Sequence, residues 1–91
     1  MELKRVVVTG LGAITPLGNT VEETWENIKN GKSGAAPITH FDATQFKTQF
    51  ACEVKGFDPN NYIDRKESRK MDLYTIFALA AAKQAIEDSG I

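Results

Sequence analysis

Four features of this 91-residue sequence could do chemistry: one thiol, one imidazole, a glycine-rich turn and a cluster of basic residues. Cys52 is the sole candidate thiol nucleophile. A reactive thiol needs a neighbouring cation or a helix amino end to favour the thiolate. Cys52 instead alternates with Phe50 and Val54 on one side of an extended segment, so a buried thiol packing like a small hydrophobe is expected. His40 stands in the loop from Pro37 to Asp42 with no identifiable partner, and it reads as a solvated or loop-packing residue rather than a base. One Cys and one His are too few for a structural zinc site, and a single Cys forms no intramolecular disulfide. No catalytic pair or metal site can be assembled, and no cofactor is implied.

The glycine-rich turn follows Val6-Val7-Val8-Thr9 and opens as Gly10-Leu11-Gly12, which invites comparison with a dinucleotide-binding loop. The third glycine of that fingerprint would fall at position 15, which is Thr. Pro16 would also interrupt the helix whose amino end must meet the pyrophosphate. The acidic residue expected about 20 positions further on has no second strand to occupy. A tight turn after a buried strand is the alternative.

The basic cluster is Asp64-Arg65-Lys66-Glu67-Ser68-Arg69-Lys70, where four cations and two anions give a local charge of +2. The other 84 residues hold seven basic and ten acidic groups, so the overall −1 conceals segregated charge. On a helix Lys66, Arg69 and Lys70 share one face, and Arg65 with Arg69 adds a second like-charged pair. Each such pair costs a helix about 0.2–0.5 kcal/mol. Cations near a helix start also oppose its dipole, relieved in part by Asp64 and Glu67. A docking patch for an acidic partner explains this placement, and a solvated polar helix end is the other reading.

The elements that must carry these residues follow from pattern. Residues 4–9 form a β-branched run that fits a strand buried on both faces. Thr20 stands three residues before Glu23, a capping box that opens a short helix. Val21, Trp25 and Ile28 give it one apolar stripe, and Gly31 stops it. Residues 32–42 read as a connecting loop, and residues 46–55 alternate as a half-exposed strand. Pro59 can start one short helical turn through Tyr62 and Ile63. From Asp64 to Gly90 the sequence reads as one long helix, apolar on nearly every face between Leu73 and Ala82 and rich in Ala. Such a helix needs cover from more protein.

Hydrophobic residues make up 42% and charged residues 25%, the mixture of a soluble globular chain. No apolar run approaches the roughly 18 residues of a membrane span. Nor does the Met1-Glu2-Leu3-Lys4-Arg5 start resemble a secretory signal, so a cytoplasmic protein is expected, bound neither to membrane nor, given its near-neutral charge, to nucleic acid.

The chain as a whole resembles the amino-terminal segment of a bacterial β-ketoacyl acyl-carrier-protein synthase of the type II class. Carrying the resemblance are Arg5-Val6-Val7-Val8-Thr9-Gly10-Leu11-Gly12, Thr15-Pro16-Leu17-Gly18-Asn19-Thr20-Val21-Glu22, Trp25, Gly31-Lys32-Ser33-Gly34 and Phe41-Asp42. Arg65-Lys66-Glu67, Arg69-Lys70-Met71-Asp72 and Asp88-Ser89-Gly90 add to it. The resemblance implies an α/β chain, part of the first half of a thiolase-like layered fold. On this basis residues 1–91 form an incomplete amino-terminal part of the synthase N-terminal domain, within a homodimeric enzyme. It also implies an acyltransferase that elongates fatty acids by decarboxylative condensation. The nucleophilic Cys and two His of that reaction would lie beyond residue 91, Cys52 not being the nucleophile, so the segment alone is expected to be inactive. Lys66, Arg69 and Lys70, with Arg65 as an addition, match the family's contacts to the acidic acyl carrier protein. A small binding module using the same basic face for an acidic protein is the alternative.

Overall fold

Local hydrogen bonding sets the helix ends in the computed structural model, which describes residues 2–91. Thr20 has extended backbone, and its hydroxyl accepts the Glu23 amide at 3.1 Å, opening α1 (Val21–Lys29). Gly31, at φ +68°, takes the left-handed conformation just past its end. Pro59 begins a 3-10 turn (Pro59–Asn61), with the Asp58 carboxylate accepting the Asn60 amide at 3.0 Å. The terminal helix α3 (Leu73–Ser89) stops at Gly90, which is also left-handed at φ +75°.

The expected helix from Asp64 to Gly90 is broken. Arg65–Ser68 form a separate single turn, α2, closed by i→i+3 bonds from the Lys70 amide to Glu67 and from the Met71 amide to Ser68. Asp72 then adopts extended backbone (φ −72°, ψ 156°) as the residue before α3. The Asp72 carboxylate makes no capping hydrogen bond; its extended backbone ends the helical run, and its carbonyl takes the Thr75 and Ile76 amides that open α3.

The strands also differ from expectation. Residues 4–9 have no ladder partner among the described residues, and Val6 and Val8 are 88% and 78% exposed. A β-branched run becomes a strand only where another strand can pair with it. The loop expected over 32–42 instead holds β1 (Ala35–Pro37), which pairs antiparallel with β2 (Phe50–Cys52) in the register Ala35 to Cys52 and Pro37 to Phe50. The Ile38 amide extends the ladder to the Gln49 carbonyl. In β2 the half-buried residue is Ala51, and Phe50 and Cys52 face solvent. The expected buried face is thus the outer one, and the thiol is exposed.

Helix α1 likewise turns a polar side inward. The Thr24 hydroxyl meets that of Thr15 at 2.9 Å and the Asn27 amide donates to the Leu17 carbonyl, while Trp25 and Ile28 stay exposed. The turn Thr15–Gly18 presents hydroxyl and carbonyl groups, so polar partners win that face.

Helix α3 is the spine. Gly10 and Gly12 lie against its backbone: a Cβ on Gly12 would overlap the Ala81 carbonyl and come within 2.9 Å of the Ala85 nitrogen, and one on Gly10 within 2.7 Å of the Ser89 nitrogen. The peptide run between them donates from the Leu11 amide to Asp88 and from the Ala13 amide to Gln84, each at 3.0 Å. These two side chains are four residues apart on α3, matching two alternate amides of an extended chain.

Little is buried. Among the described residues only Ala43, Ile76 and Ala80 are buried apolar groups. The surface of 7449 Å² exceeds the roughly 5200 Å² expected of a compact 10.0 kDa protein. The radius of gyration, 16.6 Å, likewise exceeds the compact value of about 12 Å. Tyr74, Leu79 and Ile86 of α3 stay open, Leu79 and Ile86 along a groove shared with Tyr62 and Ile63. The glycine seam gives a prediction for the full-length protein. Gly12→Ala meets backbone that cannot yield and is expected to cost about 3 kcal/mol. Gly31→Ala, with nothing within 4 Å and only the positive φ to oppose it, is expected to cost about 1 kcal/mol. Denaturant midpoints check this, and equal losses would remove the seam from the account.

Candidate functional site

The basic segment reaches the surface by a chain of contacts that starts on α3. Gln84 Nε2 donates to the Tyr62 hydroxyl at 3.0 Å, just after the 3-10 turn. Phe57 stacks on Tyr62 with ring centroids 5.8 Å apart and meets Phe77 of α3 edge to face at 5.2 Å. The 3-10 turn so anchored packs against α2, which carries Arg65 and Lys66, with Arg69 at its end and Lys70 in the following turn. All four cations are exposed. Among the described residues no carboxylate lies within ion-pair distance of any of them; the ion pairs present are Lys29 with Glu26 and His40 with Glu53.

The placement differs in one respect from expectation. The helix carrying Lys66, Arg69 and Lys70 is one short turn and not the start of a long one: α2 ends at Ser68, Arg69 caps it in right-handed helical conformation with its amide on the Arg65 carbonyl, and the Lys70 amide follows on that of Glu67. The helix-dipole penalty largely lapses with it, since a four-residue turn has little macrodipole. The segment is a basic knuckle between two helices, its charges free to meet a partner.

A second polar group lies beside the hairpin. His40, expected to be without a partner, has its Nε2 3.4 Å from the Glu53 carboxylate. The same carboxylate accepts the Thr39 hydroxyl at 2.8 Å and the amides of Thr39 and His40 at 3.2–3.3 Å. Partial burial alone would raise the Glu53 carboxyl, but the Thr39 and His40 hydrogen bonds and the neighbouring imidazole outweigh it and hold the group below the usual carboxylate range. Cys52 and His40 line one open groove with Phe41, Val54 and Phe77. Glu53 lines the same groove, but no hydrogen bond joins the thiol to the imidazole or to the carboxylate among the described residues. The three do not make a nucleophile, base and orienter.

The glycine turn is committed elsewhere. The Leu11 and Ala13 amides, which a pyrophosphate would need, are held by Asp88 and Gln84, and the next helix begins only at Val21, after the Pro16 turn. Among the described residues no group of three or more His, Cys, Asp or Glu side chains could hold a metal ion. None of the described helices is long and apolar enough to cross a membrane.

Residues 3–91 match the family described as Beta-ketoacyl synthase, N-terminal domain. The chain is 53% identical over 91 residues to 3-oxoacyl-[acyl-carrier-protein] synthase 2 of Coxiella burnetii and 52% identical to that of Vibrio cholerae, covering 100% of this chain and 22% of each relative. A Synechocystis relative of the same name is 51% identical over 89 residues. Among solved structures, the ishigamide ketosynthase/chain length factor superposes with a TM-score of 0.85 at 40% identity, over 93% of this chain and 21% of that one. The chain therefore belongs to the β-ketoacyl synthase N-terminal domain family, with an α/β, thiolase-like fold. It spans about a fifth of the length of the curated relatives it matches.

The Glu53 cluster supplies a pH prediction. A carboxyl whose pKa is lower in the folded than in the unfolded chain stabilises the fold above the ordinary carboxylate range, and that contribution fades as pH falls through the folded value. Protection of the Thr39 and His40 amides against hydrogen exchange, corrected for intrinsic rates, is expected to fall as Glu53 protonates. Glu53→Gln should already be low at neutral pH and change little with acid. Unchanged protection in that variant would contradict the assignment.

Proposed function

We propose that this chain serves, within a longer polypeptide, as the amino-terminal part of a 3-oxoacyl-acyl-carrier-protein synthase, and that its own contribution is the surface on which the acidic carrier protein docks. The observation carrying this reading is the exposed group Arg65, Lys66, Arg69 and Lys70, unpaired with any described carboxylate. The curated relatives at 51–53% identity name an acyl-carrier-protein.

On this reading the whole enzyme is an acyltransferase of fatty acid elongation, a cytoplasmic homodimer. It moves an acyl chain from its carrier onto a Cys thiol. Loss of carbon dioxide from malonyl carrier protein then leaves a carbanion equivalent, which attacks the acyl thioester. Two His residues assist that second step. The Cys and both His belong to the four-fifths of the enzyme outside this chain, and Cys52 and His40 take no part. The same remaining protein supplies a ladder partner for residues 4–9 and cover for the outer side of α3.

The knuckle steers and orients rather than binds tightly. Exposed charge pairs add little affinity, typically 0.2–1 kcal/mol each, but a patch of one sign raises the encounter rate and fixes register. Its reach is set by a Debye length of about 8 Å at physiological ionic strength, so docking weakens with added salt.

In the full-length enzyme, Lys66→Glu, Arg69→Glu and Lys70→Glu combined are expected to raise the KM for carrier-linked substrate at least tenfold, leaving a small thioester substrate unaffected. Steady-state kinetics with both substrates decide the matter. Equal effects on the two would sink the docking role and return the segment to a solvated helix end.

A further inference from the structure

Asn30 is followed by Gly31, and none of the other asparagines, Asn19, Asn27, Asn60 and Asn61, precedes a glycine. An asparagine side-chain amide is open to attack by the main-chain nitrogen of the next residue, and a glycine there has no Cβ to crowd the approach. The pair sits where α1 stops. Asn30 is the C-cap, and Gly31, at φ +68°, follows with nothing within 4 Å of the place a Cβ would take. Both residues are exposed.

The closed helix end holds this pair out of reaction. The Gly31 N–H donates to the Ile28 carbonyl at 3.0 Å, which keeps the attacking nitrogen occupied. With ψ of Asn30 at 2°, that nitrogen eclipses the Asn30 nitrogen and lies a third of a turn from the Asn30 Cβ, whereas closing a succinimide ring needs it turned toward Cβ. Asn30 Nδ2 also reaches the Glu26 carboxylate at 3.5 Å, and the Lys32 amide completes the stop on the Asn27 carbonyl at 3.0 Å. Every one of these restraints belongs to the last turn of a nine-residue helix, and helix ends are where local opening costs least.

We propose that Asn30 is a site of spontaneous one-way modification, timed by opening of the last turn of α1. Once the turn opens, the Gly31 nitrogen gives its proton to hydroxide and attacks Asn30 Cγ. The N–Cγ bond forms, the Cγ–Nδ2 bond breaks, and ammonia leaves with a proton from water, which restores the hydroxide. Water then opens the ring at either carbonyl, giving aspartate or isoaspartate at position 30. Each product undoes the stop. A carboxylate there faces the negative end of the helix dipole and Glu26, and the isoaspartate linkage adds a carbon to the main chain, so the Gly31 and Lys32 amide bonds cannot both re-form. The step is intramolecular. It calls for no partner and no free surface, and it stands apart from the docking role.

The test keeps the full-length enzyme at mildly alkaline pH, beside the same protein unfolded in guanidinium chloride, and follows both by peptide mass mapping. The expected result is conversion at Asn30 ahead of the other asparagines, about tenfold slower in the folded than in the unfolded protein. Lys29→Gly, which loosens the last turn and leaves the reacting pair intact, should speed the folded reaction severalfold without changing the unfolded one. Gly31→Ala should slow conversion in the unfolded chain, where only the crowding of the attack is at issue. An Asn30 still intact in the folded enzyme after ten half-lives of the unfolded chain removes the site. Equal rates in folded and unfolded protein, or a folded rate that Lys29→Gly leaves unchanged, remove the gate.

Discussion

Gln84 joins three separate parts of the chain to one helix through a single side chain. Its Oε1 accepts the Ala13 amide at 3.0 Å, and its Nε2 donates to the Asn19 carbonyl at 2.7 Å and to the Tyr62 hydroxyl at 3.0 Å. One side chain therefore ties the amino-terminal run, the entry to α1 and the 3-10 turn to α3. The orientation of the amide is settled by its partners, since a backbone N–H can only donate and a carbonyl can only accept. Gly10 and Gly12 make the bond possible, because any Cβ on either would hold the amino-terminal run off the helix. In a chain with three buried apolar residues among those described, such polar ties and close backbone contacts carry much of the organisation that a larger core supplies elsewhere.

The proposed docking surface inherits its position from the same tie. Tyr62 links Gln84 to the 3-10 turn, Phe57 and Phe77 reinforce the link through their rings, and α2 packs on that turn with its cations outward. Breaking the helix before Asp72 leaves the cations on and just after one short turn, a knuckle between two helices. The break falls after the four cations, at Asp72, and Leu73 and Tyr74 begin the next helix beside them.

What could be read from the sequence was what depends on neighbours a few residues away. The Thr20–Glu23 cap, the left-handed stops at Gly31 and Gly90 and the Pro59 turn are local, and each lies where spacing puts it. The basic cluster was legible as composition, but its helix was not: Met71-Asp72 ahead of an apolar run is an Asp start signal that the longer periodicity obscured. Pairing was harder. Ala35-Ala36-Pro37 carries no strand propensity and becomes β1 because β2 offers it a register. Glu53 meets Thr39 and His40 only once the hairpin has closed, so no spacing rule could have paired them. The β-branched run at residues 4–9 shows the converse, strong propensity without a ladder.

The central claim is that the knuckle before α3 meets an acidic carrier protein, and proximity tests it more directly than rates. A carbodiimide that joins lysine amines to carboxylates only in contact can be applied to the full-length enzyme mixed with acyl carrier protein, followed by peptide mass mapping. The account predicts cross-links at Lys66 and Lys70 that disappear in high salt. Cross-links confined to other lysines, such as Lys29, Lys32 or Lys47, would contradict it.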